Sequence, residues 1–216
     1  MNLARLLQLA NPALPVGAYS YSGGLEAAIE AGVVHDAATA ERWIGDVLEF
    51  SMARMEGPVV FSFLSGFSRK DFSKVKKLNE FFLASRETAE LRAETVQMGY
   101  SLNRLIRDLG IGEVPLEEPS FPAAFAFAAS AWEIDPDAAL QAYLWAWLEN
   151  QVMAAVKAIP LGQTDGQRIL LSLGELLPSC AKKAMQVDDQ DLWNFAPGLA
   201  LLSSRHETQY SRLFRS

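Results

Sequence analysis

Residues 86–109 read RETAELRAETVQMGYSLNRLIRDL, and their apolar positions decide the fold. Leu91, Met98, Leu102, Leu105 and Leu109 step by 7, 4, 3 and 4 residues, the spacing that gathers side chains on one face of a 3.6-residue helix. Such a helix is ~36 Å long at 1.5 Å per residue, enough to cross a small domain. The same beat returns further on. Leu140, Leu144, Trp147, Gln151/Val152, Ala155 and Ile159 carry it through 138–159, and Ile169, Leu173, Leu176, Cys180 and Ala184 through 166–185. Residues 39–56 read as a further amphipathic helix, with Thr39 as its N-cap. Shorter helices are expected at 2–10, 22–32, 58–68, 71–84, 121–132 and 197–206. Pro58, Pro122 and Pro197 fall in their first turns, where a missing N–H costs nothing. The run VVFSF at 59–63 has strand-like composition, but no partner run or hairpin turn flanks it, so helix is favoured. Residues 110–119 are the longest expected loop. The expectation is one all-α domain over 1–216, of about ten helices.

Composition narrows the classes of function. The chain has 216 residues, half of them hydrophobic, which suits a single domain with a sizeable core. Its formal net charge of -7 argues against duplex nucleic acid as a general partner, because phosphate neutralisation needs clustered Lys and Arg. One cysteine, Cys180, allows no internal disulfide. The opening MNLARLLQLANPALP lacks the apolar length and cleavage site of a secretory signal, and no run approaches ~18 apolar residues. A cytoplasmic globular protein is expected.

The catalytic inventory is poor. No Gly-Lys dipeptide occurs, so the phosphate-cradling loop of nucleotide hydrolases is absent. GAYSYSGG places Ser20 and Ser22 at the wrong spacing for a nucleophile elbow. HETQY at 206–210 begins like a zinc-protease helix but has Tyr210 where the second His is required. His35, His206 and Cys180 are far apart in sequence, which disfavours an intrachain transition-metal site. His35 is read instead as a partner of a helix C-terminus. The cluster DDQD at 188–191 allows a rival reading, an all-α Mg²⁺-dependent prenyl-transfer type of enzyme using Asp188, Asp189 and Asp191. No second aspartate cluster faces it, so a solvated turn capping the next helix is preferred. The alternating charges Arg86, Glu87, Glu90, Arg92 and Glu94 are read as a solvated helix face, with contact to a partner the alternative.

Two segments break the helical rhythm. NPALPVGAYSYSGGLE at 11–26 combines two prolines, two tyrosines and two serines, with Gly17 where a tight turn requires positive φ and Gly23-Gly24 before a resumed helix. Alone, it is equally well an ordinary helix-capping loop with packed tyrosines. RHETQYSRLFRS at 205–216 is basic and apolar at the end of an acidic chain. Its arginines and aromatics have the composition of an interface anchor, although a tail docked on its own core, fastened by Arg side chains against the Tyr19–Tyr21 loop, is compatible with the same residues. Three interleaved apolar residues are too few for membrane anchoring.

Together these segments resemble the urease accessory protein UreF family. Leu14, Pro15, Gly17, Tyr19, Tyr21, Ser22, Gly24, Leu25 and Glu26 match its N-terminal signature. RETAELRAETVQMGYSL (86–102), IPLGQTDGQRILL (159–171) and HETQYSRLFRS (206–216) are similar to its later blocks, in order and spacing. The resemblance implies an all-α, dimer-forming, non-enzymatic protein that bridges UreD (UreH) and the GTPase UreG, in the assembly that delivers nickel to apo-urease. It implies no tightly bound cofactor, no membrane and no nucleic acid. The residues it marks for partner contact are Tyr19, Ser20, Tyr21, Gly24, Glu26, His206, Tyr210, Arg212, Leu213, Phe214 and Arg215. A weak nickel site made by His206 residues paired across a dimer stays open. Trp145 and Trp147 give an aromatic helix that neither reading explains.

Overall fold

A computed structural model of the chain describes residues 3–194 and 196–216. The expected helix at 2–10 is seen as α1, Leu3–Leu9; residue 2 lies outside the described residues. After a single 3-10 turn, Ala18–Ser20, come α2 (Leu25–Glu30), α3 (Ala37–Val47), α4 (Gly57–Ser68), α5 (Phe72–Ala84) and α6 (Ala89–Asp108). Next are α7 (Phe121–Ala131), α8 (Pro136–Ala158), α9 (Gln163–Gly174), α10 (Leu177–Ala184) and α11 (Pro197–His206). No strand occurs among the described residues, and 59–63 is helical.

Two helices organise the core. α4 carries Val59, Val60, Phe63 and Leu64, all buried, and packs on α5, α7 and α8. α8, 23 residues long, runs beside α9, α10, α2, α1 and α3. Its Leu140, Leu144, Leu148, Val152 and Ala155 are fully enclosed. α7 buries Ala123, Ala124, Phe125, Ala126, Ala128 and Ala129, and its small side chains admit α4 and α6 closely on either side. Helix starts follow local chemistry: the side chains of Asp71, Thr88, Ser120 and Asp135 each accept a backbone N–H of the following first turn.

Three expectations change. The helix read over 39–56 starts at Ala37. Asp36 is its N-cap and Thr39 the reciprocal partner in a capping box. It then loosens into a π-helical stretch, Leu48–Glu56, where Gly57 N–H reaches back to Met52 O. The slipped register puts Pro58 in the first turn of the restored α-helix, where its missing N–H is harmless. The helix read over 166–185 is two, because Pro178 opens a new first turn after Glu175 and Leu176.

The stripe of α6 is also rotated from its expected position. Thr95, Met98, Gly99, Leu102 and Ile106 are buried, whereas Leu109 is exposed. The reason is the 110–119 loop, which returns across α6. A Cβ on Gly99 would lie 2.0 Å from Pro119 O. Asn103 Oδ1 accepts Val114 N–H at 3.0 Å, and Asn79 Nδ2 donates to Glu118 O at 2.9 Å, so the loop is pinned along its length.

Candidate functional site: a clamped C-terminal tail

The signature loop bends where glycine permits. Gly17, Gly23 and Gly24 have φ of 79°, 57° and 86°, a region costly for residues with a Cβ. Gly24 additionally lets α11 approach, since a Cβ there would sit 2.9 Å from Leu199 Cδ1. The turn delivers Glu26 into the first turn of α2, buried against α11.

Glu26 is the centre of the site. Its Oε1 accepts Leu213 N–H at 2.7 Å and its Oε2 accepts Phe214 N–H at 2.9 Å, which fixes the tail by its backbone. The same carboxylate lies 3.1 Å from Nε2 of His206, a side chain with no exposure. His206 Nδ1 stands 2.6 Å from Glu90 of α6, and Arg212 Nη1 donates to the other Glu90 oxygen at 2.7 Å. Glu26, His206, Glu90 and Arg212 thus form one continuous relay of charge-assisted contacts across α2, α11, α6 and the tail.

Further along, Arg215 N–H donates to Ser20 O at 2.8 Å, and Ser22 N–H to Ser216 O at 3.0 Å. Ser22 Oγ also donates to Ser216 O. Ser216 Oγ donates to Glu94 Oε2 at 2.7 Å. Burial pushes the Glu94 carboxyl up to about 7, with Ser216 and Arg86 acting against that rise. Glu207 Oε1 accepts Ala89 N–H at 2.8 Å, so the tail also caps α6.

Part of the segment that reads as solvated, Glu90 and Glu94, is therefore the dock for the tail. Glu90 and Glu94 are occupied as described. Arg86 pairs with Glu56 at 3.3 Å, Glu87 accepts from Asn194, and Arg92 pairs with Glu118 at 2.5 Å. Glu56 also accepts the hydroxyl of Tyr143, whose ionisation is pushed well up by burial and then by Glu56 itself.

Of the marked residues, the structure brings together Ser20, Tyr21, Gly24, Glu26, His206, Arg212 and Phe214 on the inner side of the clamp. Tyr19, Tyr210, Leu213 and Arg215 point outward. Tyr210 is fully exposed, Leu213 is 71% exposed and Tyr19 67%. Arg212 does not meet the Tyr19–Tyr21 loop as expected; Glu90 holds it, and backbone groups tie the tail to the loop. His206, with a carboxylate at each ring nitrogen, has no nitrogen free to meet a second copy. Glu90, Glu94, Ser22 and Ser216 were missed as site residues. Their signal was the 4-residue step from Glu90 to Glu94, whose partners come from positions more than a hundred residues away.

Other candidates resolve into structure. Asp189 is held by Lys74 at 2.6 Å and by the Ser62 hydroxyl, pinning its 3-10 turn to α4 and α5; no side chain of the cluster caps a described helix. His35 Nδ1 faces Gly32 O just beyond α2. Cys180 is buried, and burial raises its thiol. Among the described residues no group of three or more His, Cys, Asp or Glu is placed to hold a metal ion, and no helix is long and apolar enough to cross a membrane.

An all-α body that locks its own terminal segment in place, with apolar and aromatic side chains left on the outer face, defines a helical protein built around a presented tail. The UreF family model matches residues 34–174. Over 99% of this chain and 95% of its own length, a urease accessory protein UreF of Azoarcus sp. is 59% identical. Proteins of the same name from Dechloromonas aromatica and Janthinobacterium sp. are 51% and 50% identical, each over at least 98% of both chains. The chain belongs to the UreF family of urease accessory proteins.

Proposed function

We propose that this chain serves urease maturation in the cytoplasm as a non-enzymatic bridge. It joins UreD (UreH) to the GTPase UreG, works as a homodimer, and takes part in passing nickel, as cargo, to apo-urease. The observation that carries this reading is the tail. Its backbone is held by Glu26, Ser20 and Ser22, while Tyr210, Leu213 and Arg215 face outward beside Tyr19. Ordering a segment before it meets a partner removes the entropy that binding would otherwise cost. Tyr and Arg are the residue types that most often dominate interface energy.

The test is capture of UreD and UreG by Tyr210→Ala, Leu213→Ala and the double variant. Neither side chain supports the core, so helical circular dichroism and Tm should match wild type. Loss of a hot spot costs ~2 kcal/mol or more, a weakening of roughly 30-fold. Unchanged capture and unchanged urease activation by the double variant would refute the tail as the contact.

A further inference from the structure

A cavity of about 390 Å³ lies between the signature loop, the start of α6 and the middle of α8. Its size is that of a small-molecule site. Asn11, Pro12 and Tyr19, all exposed, mark its mouth. Met52, Leu91, Met98, Trp147 and Met153 supply apolar wall. The charged groups of the lining are four acids, Glu56, Glu87, Glu94 and Glu149, and two bases, Arg86 and Lys157.

The bases leave the interior acidic. Arg86 is bonded to Glu56, and its Nε and Nη2 are shut off from the open space. Lys157 lies over the exposed Tyr19 ring, at the mouth. Among the acids, Glu56 holds Arg86 and the Tyr143 hydroxyl, and Glu87 holds Asn194. Glu94 differs. Its Oε2 accepts from Ser216 Oγ, while its Oε1 has no hydrogen-bond partner among the described residues. Nor is Oε1 enclosed, since the shielded and unpartnered side-chain atoms among those residues are Trp43 Nε1 and the two Arg86 nitrogens. An accessible carboxylate oxygen thus belongs to a largely apolar lining that also carries Glu149. Burial raises both carboxyls, Glu94 to about 7, and a cation in place of the lost water would restore their charged forms.

We propose that the cavity binds a primary ammonium carried on an apolar chain, which donates to Glu94 Oε1 and lies along the methionine, leucine and tryptophan wall. A free alkylamine and the lysine side chain of another protein share this chemistry. An alcohol fills the wall but brings no charge to the carboxylate. A short ammonium brings the charge but leaves the wall unused. An alkyl carboxylate meets four acids. The groups facing Glu94 are Ser216 of the tail, Glu56 of the π-helical stretch, Arg86 before α6 and Tyr143 of α8, with Glu90 one turn away on α6 itself. Ionised Glu94 is the binding form. With its carboxyl titrating at about 7, that form grows roughly tenfold from pH 6 to pH 8, and affinity grows with it.

Hexylammonium, hexanol, methylammonium, hexanoate and Nα-acetyl-lysine methylamide serve as probes, titrated into the full chain and followed by ligand-observed NMR and calorimetry. At pH 8 hexylammonium should bind about tenfold tighter or more than hexanol, methylammonium and hexanoate. Acetyl-lysine methylamide binding tighter than hexylammonium assigns the chain to a lysine of another protein, and weaker binding assigns it to a free amine. Glu94→Gln keeps the acceptor for Ser216, and should lose about tenfold in hexylammonium affinity at pH 8 together with the rise between pH 6 and pH 8. Ala146→Leu narrows the cavity on the α8 side, leaves Glu94 intact, and should weaken hexylammonium while preserving that rise. If Glu94→Gln does not fold, the wild-type pH profile and Ala146→Leu decide. The proposal is overturned if hexylammonium does not bind, if hexanol or hexanoate binds equally well, if affinity is flat between pH 6 and pH 8, or if both variants, folded, bind like wild type.

Discussion

Gly99 shows how much one hydrogen atom can decide. Pro119 O occupies the space where its Cβ would be. The backbone of the 119–121 segment cannot yield, since Asn79 Oδ1 accepts Ser120 N–H and Thr95 Oγ1 accepts Phe121 N–H. Gly99→Ala should therefore cost at least the upper range of overpacking, ~3 kcal/mol, read by chemical denaturation. Gly17 differs, because nothing lies within 4 Å of a Cβ there. Gly17→Ala should cost only the left-handed backbone penalty, ~1–2 kcal/mol. A Gly99→Ala variant as stable as Gly17→Ala would contradict this packing. The need at Gly17 was legible in its sequence, where prolines and a second glycine pair announce a turn. The need at Gly99 was not, since its neighbour lies twenty residues on and reaches it only through the fold.

Glu94 gives a pH signature. Its folded value, about 7, lies above the ordinary 4.5. The folded state then holds this proton more tightly, so stability falls as pH rises from about 4.5 to 7 and is constant outside that window. The loss is at most ~3 kcal/mol, and less where water reaches the partly exposed residue. Glu94→Gln keeps an acceptor for Ser216 without the charge. Its stability relative to wild type should be greater at pH 8 than at pH 5. A difference that does not change with pH would show that Glu94 ionises normally.

At the scale of elements, the tail behaves as a strap held by α2 and α6. Glu26→Ala removes both acceptors of the Leu213 and Phe214 amides and leaves His206 with one carboxylate. Buried bonds to a charged group are worth ~1.5–3 kcal/mol each. The variant should lower Tm by several degrees and make 207–216 sensitive to protease while α4 and α8 stay protected. An equally resistant tail would place its anchorage elsewhere, at Phe214 or Ser216. Most element positions were readable, because apolar periodicity and capping residues are local signals. The π-helical stretch and the break before Pro178 were not. Both keep an apolar beat close to helical, and only Gly57 against Met52 O and Ala184 reveals how tightly the register is set.

For the whole molecule, sequence reading recovered the all-α body but misplaced the solvent. Glu90 and Glu94 look like part of a surface face until Arg212 and Ser216 of the tail reach them. Charge patterning describes a helix alone, whereas exposure depends on everything packed against it. The tail was likewise legible as unusual, yet its division into a buried Phe214, an Arg212 paired with Glu90, and outward Tyr210 and Leu213 depends on where Glu26 lies. Amide exchange can read this division. The Leu213 and Phe214 amides, bonded to a carboxylate at the core, should exchange as slowly as those of α8. Free exchange there, with α8 protected, would mean that the clamp opens independently of the body.

The bonds from Glu26 to Leu213 and Phe214 span nearly the whole chain, at sequence separations of 187 and 188. A ribosome adding ~5–20 residues each second needs ~10–40 s for a chain of this length. Through most of that time Glu26 and Ser22 have left the exit tunnel without the groups that will satisfy them. The helices from α3 to α10 make nearer contacts and can consolidate first, since distant pairings are the slow ones. The bonds that Glu26 and the signature loop make to the tail must wait until residues 213–216 have emerged. The outward side chains of the tail then take up their positions in the same closing step that completes the fold, so a nascent or nicked chain presents no finished surface to a partner.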